Sequence, residues 1–302
     1  MSKDPQPSTR ERSPAQQIGI VGLGDIGGGV ARHLLTSGAP LAVYDLRPEA
    51  IARFAQQARV ASSPADLASH SDVLIVAVVN DAQVLDVLHG SQGIFAGAST
   101  GTSVIVVSTI STGTLLAAAA DGRTQGISVI DCGVSGGPSA AAEGALVCMV
   151  GGDPAAVEQV RPVLELIGSL VLHMGPLGAG LSAKLARNVI QYGSWLAAYE
   201  GQLLAEAAGI DLIKLGQAVK ASDARIGGPS TLMFRPTVAP WPERTDAGLL
   251  EAMRTASMLA HKDLDAARTL AASLSVEMPM AALTEEYCDQ IFGLGTAKTT
   301  PS

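Results

Sequence analysis

Short, nearly continuous apolar runs alternate with helix-like stretches through the first half of the chain. Gln17 to Gly22, Leu41 to Asp45, Val73 to Val79, Val104 to Ser108 and Ser128 to Asp131 are β-rich with few polar breaks. That continuity predicts parallel strands covered on both faces. Between them, Gly29 to Ser37, Arg47 to Gln57, Ala82 to Leu88 and Thr114 to Asp121 read as crossover helices. Ala145 to Val150 reads as one more strand and Pro154 to Ile167 as another helix. The repeating β-α-β order predicts a doubly wound, mostly parallel sheet that takes ligands at the carboxyl ends of its strands.

From about Gly178 the period changes. Leu181 to Ala208 has helical spacing, no proline, and Gly209 as a stop, a run of roughly 40 Å at about 1.5 Å per residue. Leu212 to Ala221, Ala247 to Leu274 and Pro279 to Ile291 read as further helices. Ser222 to Asp246, rich in Pro and Gly, reads as a loop facing a cleft. The expected organisation is α/β: a disordered tail over 1–16, a Rossmann-type dinucleotide-binding domain over 17–178, an all-α substrate and dimerisation domain over 179–292 joined by the long helix, and a tail over 293–302.

Composition narrows the functions open to such a fold. Formal net charge is −8, with 20 Lys plus Arg against 28 Asp plus Glu, and the basic residues do not cluster. Nucleic acid and anionic membrane surfaces are therefore not expected partners. Mean hydropathy is +0.30 and hydrophobic residues make up 47%, enough for two cores and an oligomer interface. The expected assembly is a homodimer or homotetramer. No stretch approaches the ~18 to 20 uninterrupted apolar residues of a membrane helix. The polar start, Met1 to Gln17, lacks the apolar centre of a signal peptide. Three cysteines, Cys132, Cys148 and Cys288, have no metal-ligand spacing, so a reducing cytoplasm and no metal site are expected.

Gly22-Leu23-Gly24-Asp25-Ile26-Gly27 follows an apolar strand and opens a helix, the context in which G-x-G-x-x-G carries meaning. Its first glycine permits the turn, its second lets amides approach a pyrophosphate, and its third lets helix and strand pack closely. The helix start offers free N–H groups and a positive dipole end. Asp45 closes the second strand, where a carboxylate accepts from ribose hydroxyls and repels a 2′-phosphate. NAD is thus favoured over NADP, with Arg47 pulling the other way. Val79, at the end of the third strand-like run, is a further candidate cofactor contact.

Lys184 and Asn188 lie four apart on one face of the long helix. Lys184 falls in its first turn, where the dipole disfavours an ammonium, and burial beside a cationic nicotinamide would lower its pKa further, toward proton transfer. The segment also reads as an ordinary polar helix face. Asp131-Cys132-Gly133-Val134-Ser135-Gly136-Gly137-Pro138 follows a strand end, and the Ser135 hydroxyl with the amides of Gly136 and Gly137 could hold a carboxylate, or form a plain turn.

The segments GLGDIGGGVA at 22–31, VSTIS at 107–111, DCGVSGGPSAAAEGAL at 131–146, GPLGAGLSAKLARN at 175–188 and HKDLDAA at 261–267 together resemble the β-hydroxyacid dehydrogenase family, its 3-hydroxyisobutyrate dehydrogenase group in particular. Ile26 stands where that family often has Met, and Gly133 where Ala or Pro is common. The resemblance implies that Lys184 is the catalytic lysine, with Asn188 its partner. It implies that Ser135, Gly136 and Gly137 bind the substrate carboxylate and that Thr109 lies near the nicotinamide. Lys262 would reach cofactor or substrate from the helical domain. The implied substrate is a small anionic hydroxyacid or its semialdehyde.

Three other readings compete. Gly133-Val134-Ser135-Gly136-Gly137 matches the G-x-S-x-G nucleophile elbow of serine hydrolases, which needs a helix directly after the serine and recruits His173 or His261. Pro138 and a short Ala-rich stretch argue against that helix. A non-catalytic NAD(P)-binding module would not need Lys184, Asn188 and Lys262 together. An imine reductase on the same scaffold would be expected to replace the lysine. His261 is placed near the cleft, and Arg225 and Trp241 are candidate pocket-lining loop residues.

Overall fold

The computed structural model describes residues 16–235 and 237–295. Almost all of the expected amino-terminal tail, and most of the carboxyl-terminal one, lie outside the described residues. The chain forms two compact units that meet in sequence between Arg187 and Asn188.

The first unit carries β1 (Ile18–Val21), α1 (Asp25–Thr36), β2 (Leu41–Tyr44), α2 (Pro48–Ala52), β3 (Arg59–Val60), α3 (Pro64–Ala68), β4 (Val73–Val76), α4 (Asp81–His89), α5 (Ile94–Gly97), β5 (Ser103–Val106), α6 (Thr112–Thr124), β6 (Ser128–Ser135), α7 (Gly137–Glu143), β7 (Leu146–Gly151), α8 (Pro154–Ile167) and β8 (Gly168–Gly175). The strands form one sheet in the order β3-β2-β1-β4-β5-β6-β7-β8. All neighbours are parallel except β6 and β7, which are antiparallel. β1, β4 and β5 are buried along their whole lengths, as strands with helices on both faces must be. One apolar cluster, including Ile20, Val30, Leu34, Ile105, Ile130 and Val160, packs one face; another, including Leu67, Leu74, Leu88, Val104 and Leu115, packs the other.

The Rossmann-type, mostly parallel sheet is as expected, but several elements differ. β6 runs on through Asp131 to Ser135, where a loop was expected. Its later residues pair with β7, Cys132 opposite Val150 and Ser135 opposite Val147, and the charge at Asp131 that reads as a strand end is satisfied inside the fold. α7 then follows Ser135 almost at once, so the Ala-rich stretch is helical after all, with Pro138 in its first turn, where the missing N–H costs nothing. The edge strand β8, and the short β3, α3 and α5, are additional. α2 stops at Ala52.

α9 (Ala179–Ala207) begins in the first unit and continues into the second, which also holds α10 (Leu212–Ile226), α11 (Ala247–Ser273), α12 (Pro279–Glu286) and α13 (Cys288–Ile291). α10 extends past Ala221, so Arg225 is helical and not in a loop. Trp241 is in the following loop; its Nε1–H donates to the Phe292 carbonyl at 2.8 Å, and Arg235 stacks on its ring. The single helix expected over 279–291 breaks at Tyr287. Glu200 of α9 is buried and accepts from the amides of Met280 (2.6 Å) and Ala281 (3.0 Å). It thereby caps α12, whose own N-cap residue Met278 offers no side-chain acceptor. All three cysteines are free and buried. Among the described residues no helix is long and apolar enough to cross a membrane.

Candidate active site

The glycine turn sits at the carboxyl end of β1. Gly22 has φ +90°, a left-handed conformation that L side chains resist. A Cβ on Gly27 would land on the Gly22 carbonyl, so only a glycine lets helix and turn approach this closely at that point. Gly24 differs: nothing lies within 4 Å of where its Cβ would be. It is the N-cap of α1 and makes no side-chain cap bond, leaving an open backbone cradle of the kind a pyrophosphate fills. Asp25 is exposed and Ile26 half-buried beside it. Leu23 has another task. Its side chain is buried in the core and its N–H donates to Asp45 Oδ2 at 2.7 Å.

Asp45 lies just past β2, buried, and is heavily engaged. Its Oδ1 accepts from the Arg47 amide (2.9 Å) and Nε (3.0 Å), and its Oδ2 from Arg47 Nη2 (3.0 Å). Burial pushes this carboxyl up, but the Arg47 side chain, the two amides and the Arg47 charge outweigh it and hold the pKa at about 2. Arg47 is itself more than half exposed. Val79 lies beyond β4, which ends at Val76; it is 78% exposed, and its N–H donates to Gln83 Oε1.

α9 starts at Ala179, which puts Lys184 in the second turn. Lys184 Nζ donates to Thr109 Oγ1 at 2.6 Å, uniting residues 75 positions apart at the carboxyl end of β5. Burial lowers the Lys184 pKa. The helix start is not a bare positive end, because the buried Asp131 carboxylate accepts from its amides. Desolvation therefore takes the part that the sequence assigns first to the dipole. Ser135 ends β6, and Gly136 (φ +119°) and Gly137 (φ +71°) turn the chain into α7. Lys184 packs over the same strand: a Cβ on Gly133 would come within 2.6 Å of Lys184 Cβ.

The glycine turn, Asp45, Val79, Thr109, Ser135 and Lys184 thus share the carboxyl edge of the parallel strands. Asn188 follows Lys184 by one turn on α9. Lys262 is on α11 of the second unit, exposed, with Nζ 3.6 Å from Asp263. A helix does follow Ser135, as a serine hydrolase needs, but His173 hydrogen-bonds the Gly152 and Gly175 carbonyls and His261 faces Asp289. Sequence reasoning passed over Asp131 as a functional residue; its signal is a charge inside an otherwise apolar run. Among the described residues no His, Cys, Asp and Glu group could hold a metal.

Residues 17–175 match the NAD binding domain of 6-phosphogluconate dehydrogenase, and residues 178–299 the NAD-binding domain of NADP-dependent 3-hydroxyisobutyrate dehydrogenase. An uncharacterized oxidoreductase of Mycobacterium tuberculosis is 38% identical over 287 residues, 95% of this chain and 96% of its own. The NAD-dependent L-serine dehydrogenase of Pseudomonas aeruginosa is 32% identical over 272 residues, 89% of each chain. The solved structure of an oxidoreductase from Mycobacterium avium 104 superposes with a TM-score of 0.86 at 35% identity, covering 92% of this chain and 99% of that one. Fold, glycine cradle and matched domains together define an NAD(P)-dependent oxidoreductase. Within that class the chain belongs to the β-hydroxyacid dehydrogenase family, in its 3-hydroxyisobutyrate dehydrogenase-like group.

Proposed function

We propose that this enzyme oxidises a small β-hydroxyacid of the 3-hydroxyisobutyrate type, or reduces the corresponding semialdehyde, with Lys184 as the general acid and base. The observation that carries the reading is the half-buried Lys184, lowered by desolvation and aimed by its 2.6 Å bond to Thr109. The Ser135 hydroxyl and the Gly136 and Gly137 amides bind the substrate carboxylate, and Asn188 orients the hydroxyl. Neutral Lys184 takes the hydroxyl proton as the C–O bond becomes a carbonyl; the dinucleotide, held by the glycine turn, would supply the hydride acceptor. In reverse, protonated Lys184 delivers its proton to the nascent alkoxide. Holding these groups in register supplies much of the rate.

The cradle of Gly22 to Gly27, with Asp45, Val79, Thr109 and Lys262, is assigned to the dinucleotide. Asp45 favours NAD. The functional domains are 17–178 for the dinucleotide and 179–292 for substrate and dimerisation. Val189, Tyr192, Trp195, Leu196 and Tyr199, exposed at helical spacing on α9, support a homodimer, which sedimentation would measure. Free, buried cysteines fit a reducing cytoplasm.

Turnover of Lys184→Ala with short hydroxyacids, semialdehydes and a cyclic imine tests the reading. Loss of hydroxyacid oxidation with cofactor binding intact is expected. Full activity in that variant, or preference for the imine in the parent enzyme, would overturn it.

A further inference from the structure

Asp131 is fully buried in the middle of β6, yet none of the roles above uses it. Its Oδ1 accepts from the Gly178 amide and its Oδ2 from the Leu181 amide, both at 2.7 Å. These are amides at the start of α9, nearly fifty residues along the chain. The carboxylate lies in a slot made by glycines. A Cβ on Gly151 of β7 would land on Asp131 Oδ1, and one on Gly180 would land on the Met149 carbonyl and lie 2.9 Å from Asp131 Oδ2. On the same strand, a Cβ on Gly133 would lie 2.6 Å from both Lys184 Cβ and the Gly180 carbonyl. Carbon atoms prefer about 3.5–4.0 Å, so α9 lies as close to β6 as backbone permits, with Lys184 at the contact.

We propose that Asp131 is a positioning residue for the reaction: its buried carboxylate draws the first turn of α9 onto the sheet, and in this chain, unlike relatives with Ala or Pro there, Gly133 leaves the space into which Lys184 settles against β6. A charge kept dry must earn its place through hydrogen bonds, and here both oxygens are spent on one helix end. An ordinary N-cap comes from the residue next to its helix. A cap reaching from β6 ties the helix to the strand that ends in Ser135, so the lysine and the carboxylate-binding turn keep one frame.

The inference rests on Lys184 being the proton relay, so Lys184→Ala is assayed in parallel. Asp131→Asn keeps shape but turns an NH2 toward one of the two amides. Gly133→Ala changes no charge and displaces the helix by roughly 1 Å. Misplacement on that scale is expected to lower kcat by about tenfold to a hundredfold. KM for the hydroxyacid, and the NADH dissociation constant read by fluorescence, should stay within about threefold. Unchanged kcat in both variants, or a raised KM with kcat retained, would overturn the proposal. If Asp131→Asn does not fold, Gly133→Ala decides: lowered kcat supports the proposal, and parental kcat overturns it. Full activity in Lys184→Ala removes the relay reading and the inference with it, a result distinct from either variant keeping its rate while Lys184→Ala is dead.

Discussion

Thr109→Val removes the hydroxyl that receives the Lys184 ammonium and keeps the size of the side chain. The 2.6 Å bond favours the charged form of the lysine. A hydrogen bond to a charged group contributes about 1.5–3 kcal/mol. Thr109 is exposed, so water can take over part of that role, and about 1–1.4 kcal/mol is a fair net loss, equivalent to about 0.7–1 pH unit. The sign follows from which form loses its partner. Lys184 is already lowered by burial; without Thr109 its ammonium is less favoured, and the pKa falls further. Oxidation needs the neutral amine, so the acid limb of kcat/KM should move to lower pH by that amount. Cys132, beside Lys184, is held well above the ordinary thiol range by its hydrogen bond with Cys148 and by burial, and so stays neutral there. It leaves the limb to the lysine through this window. The assay is the pH dependence of hydroxyacid oxidation at saturating NAD. An acid limb that stays in place, or moves up, would refute the reasoning.

Arg47→Ala strips the bidentate guanidinium from Asp45 and leaves the Leu23 and Arg47 amides. NADP binding should weaken by about tenfold or more while NAD binding changes little, as titrated by fluorescence; equal losses for both would contradict the assignment. Asp45 also carries an acid-stability signature. Its pKa is depressed to about 2 from a model-peptide value of 3.8, so its stabilisation is complete above about pH 4 and fades as pH falls toward 2. In Arg47→Ala that acid-sensitive part should shrink, which melting curves across this range would register. Glu200→Gln keeps one acceptor for the amides of Met280 and Ala281 and turns an NH2 on the other. It should cost about 2–3 kcal/mol and lower the melting midpoint by roughly 4–12 °C; an unchanged midpoint would show that water replaces the cap.

The parts of the fold legible in the sequence are those where side-chain pattern and burial coincide. β1, β4 and β5 are buried throughout and read as unbroken apolar runs, and the glycine turn carries its own steric logic at Gly22 and Gly27. β8 was not legible, because an edge strand with exposed Leu170, Leu172 and Met174 has no strong periodic signature. The end of α10 was not, because Ser222 to Arg225 is polar and exposed. Lys184 and Asn188 could be put on one helix face, but the partnership of Lys184 with Thr109 spans 75 residues and belongs to the topology. Asp131 misled for a physical reason: a carboxylate in a strand run reads as its solvent end, and only helix amides arriving from far along the chain make it a buried residue.

The three buried cysteines divide unevenly between the units, Cys132 and Cys148 in the first and Cys288 in the second. Only a thiolate reacts with an alkylating reagent; burial raises the Cys288 thiol, and the hydrogen bond with Cys148, with burial, raises Cys132. In the native enzyme Cys132 and Cys288, one in each unit, are therefore shielded until their surroundings open. Alkylation, followed residue by residue, becomes a clock for local unfolding. Without any added probe, it times the opening of the sheet separately from that of the helical unit.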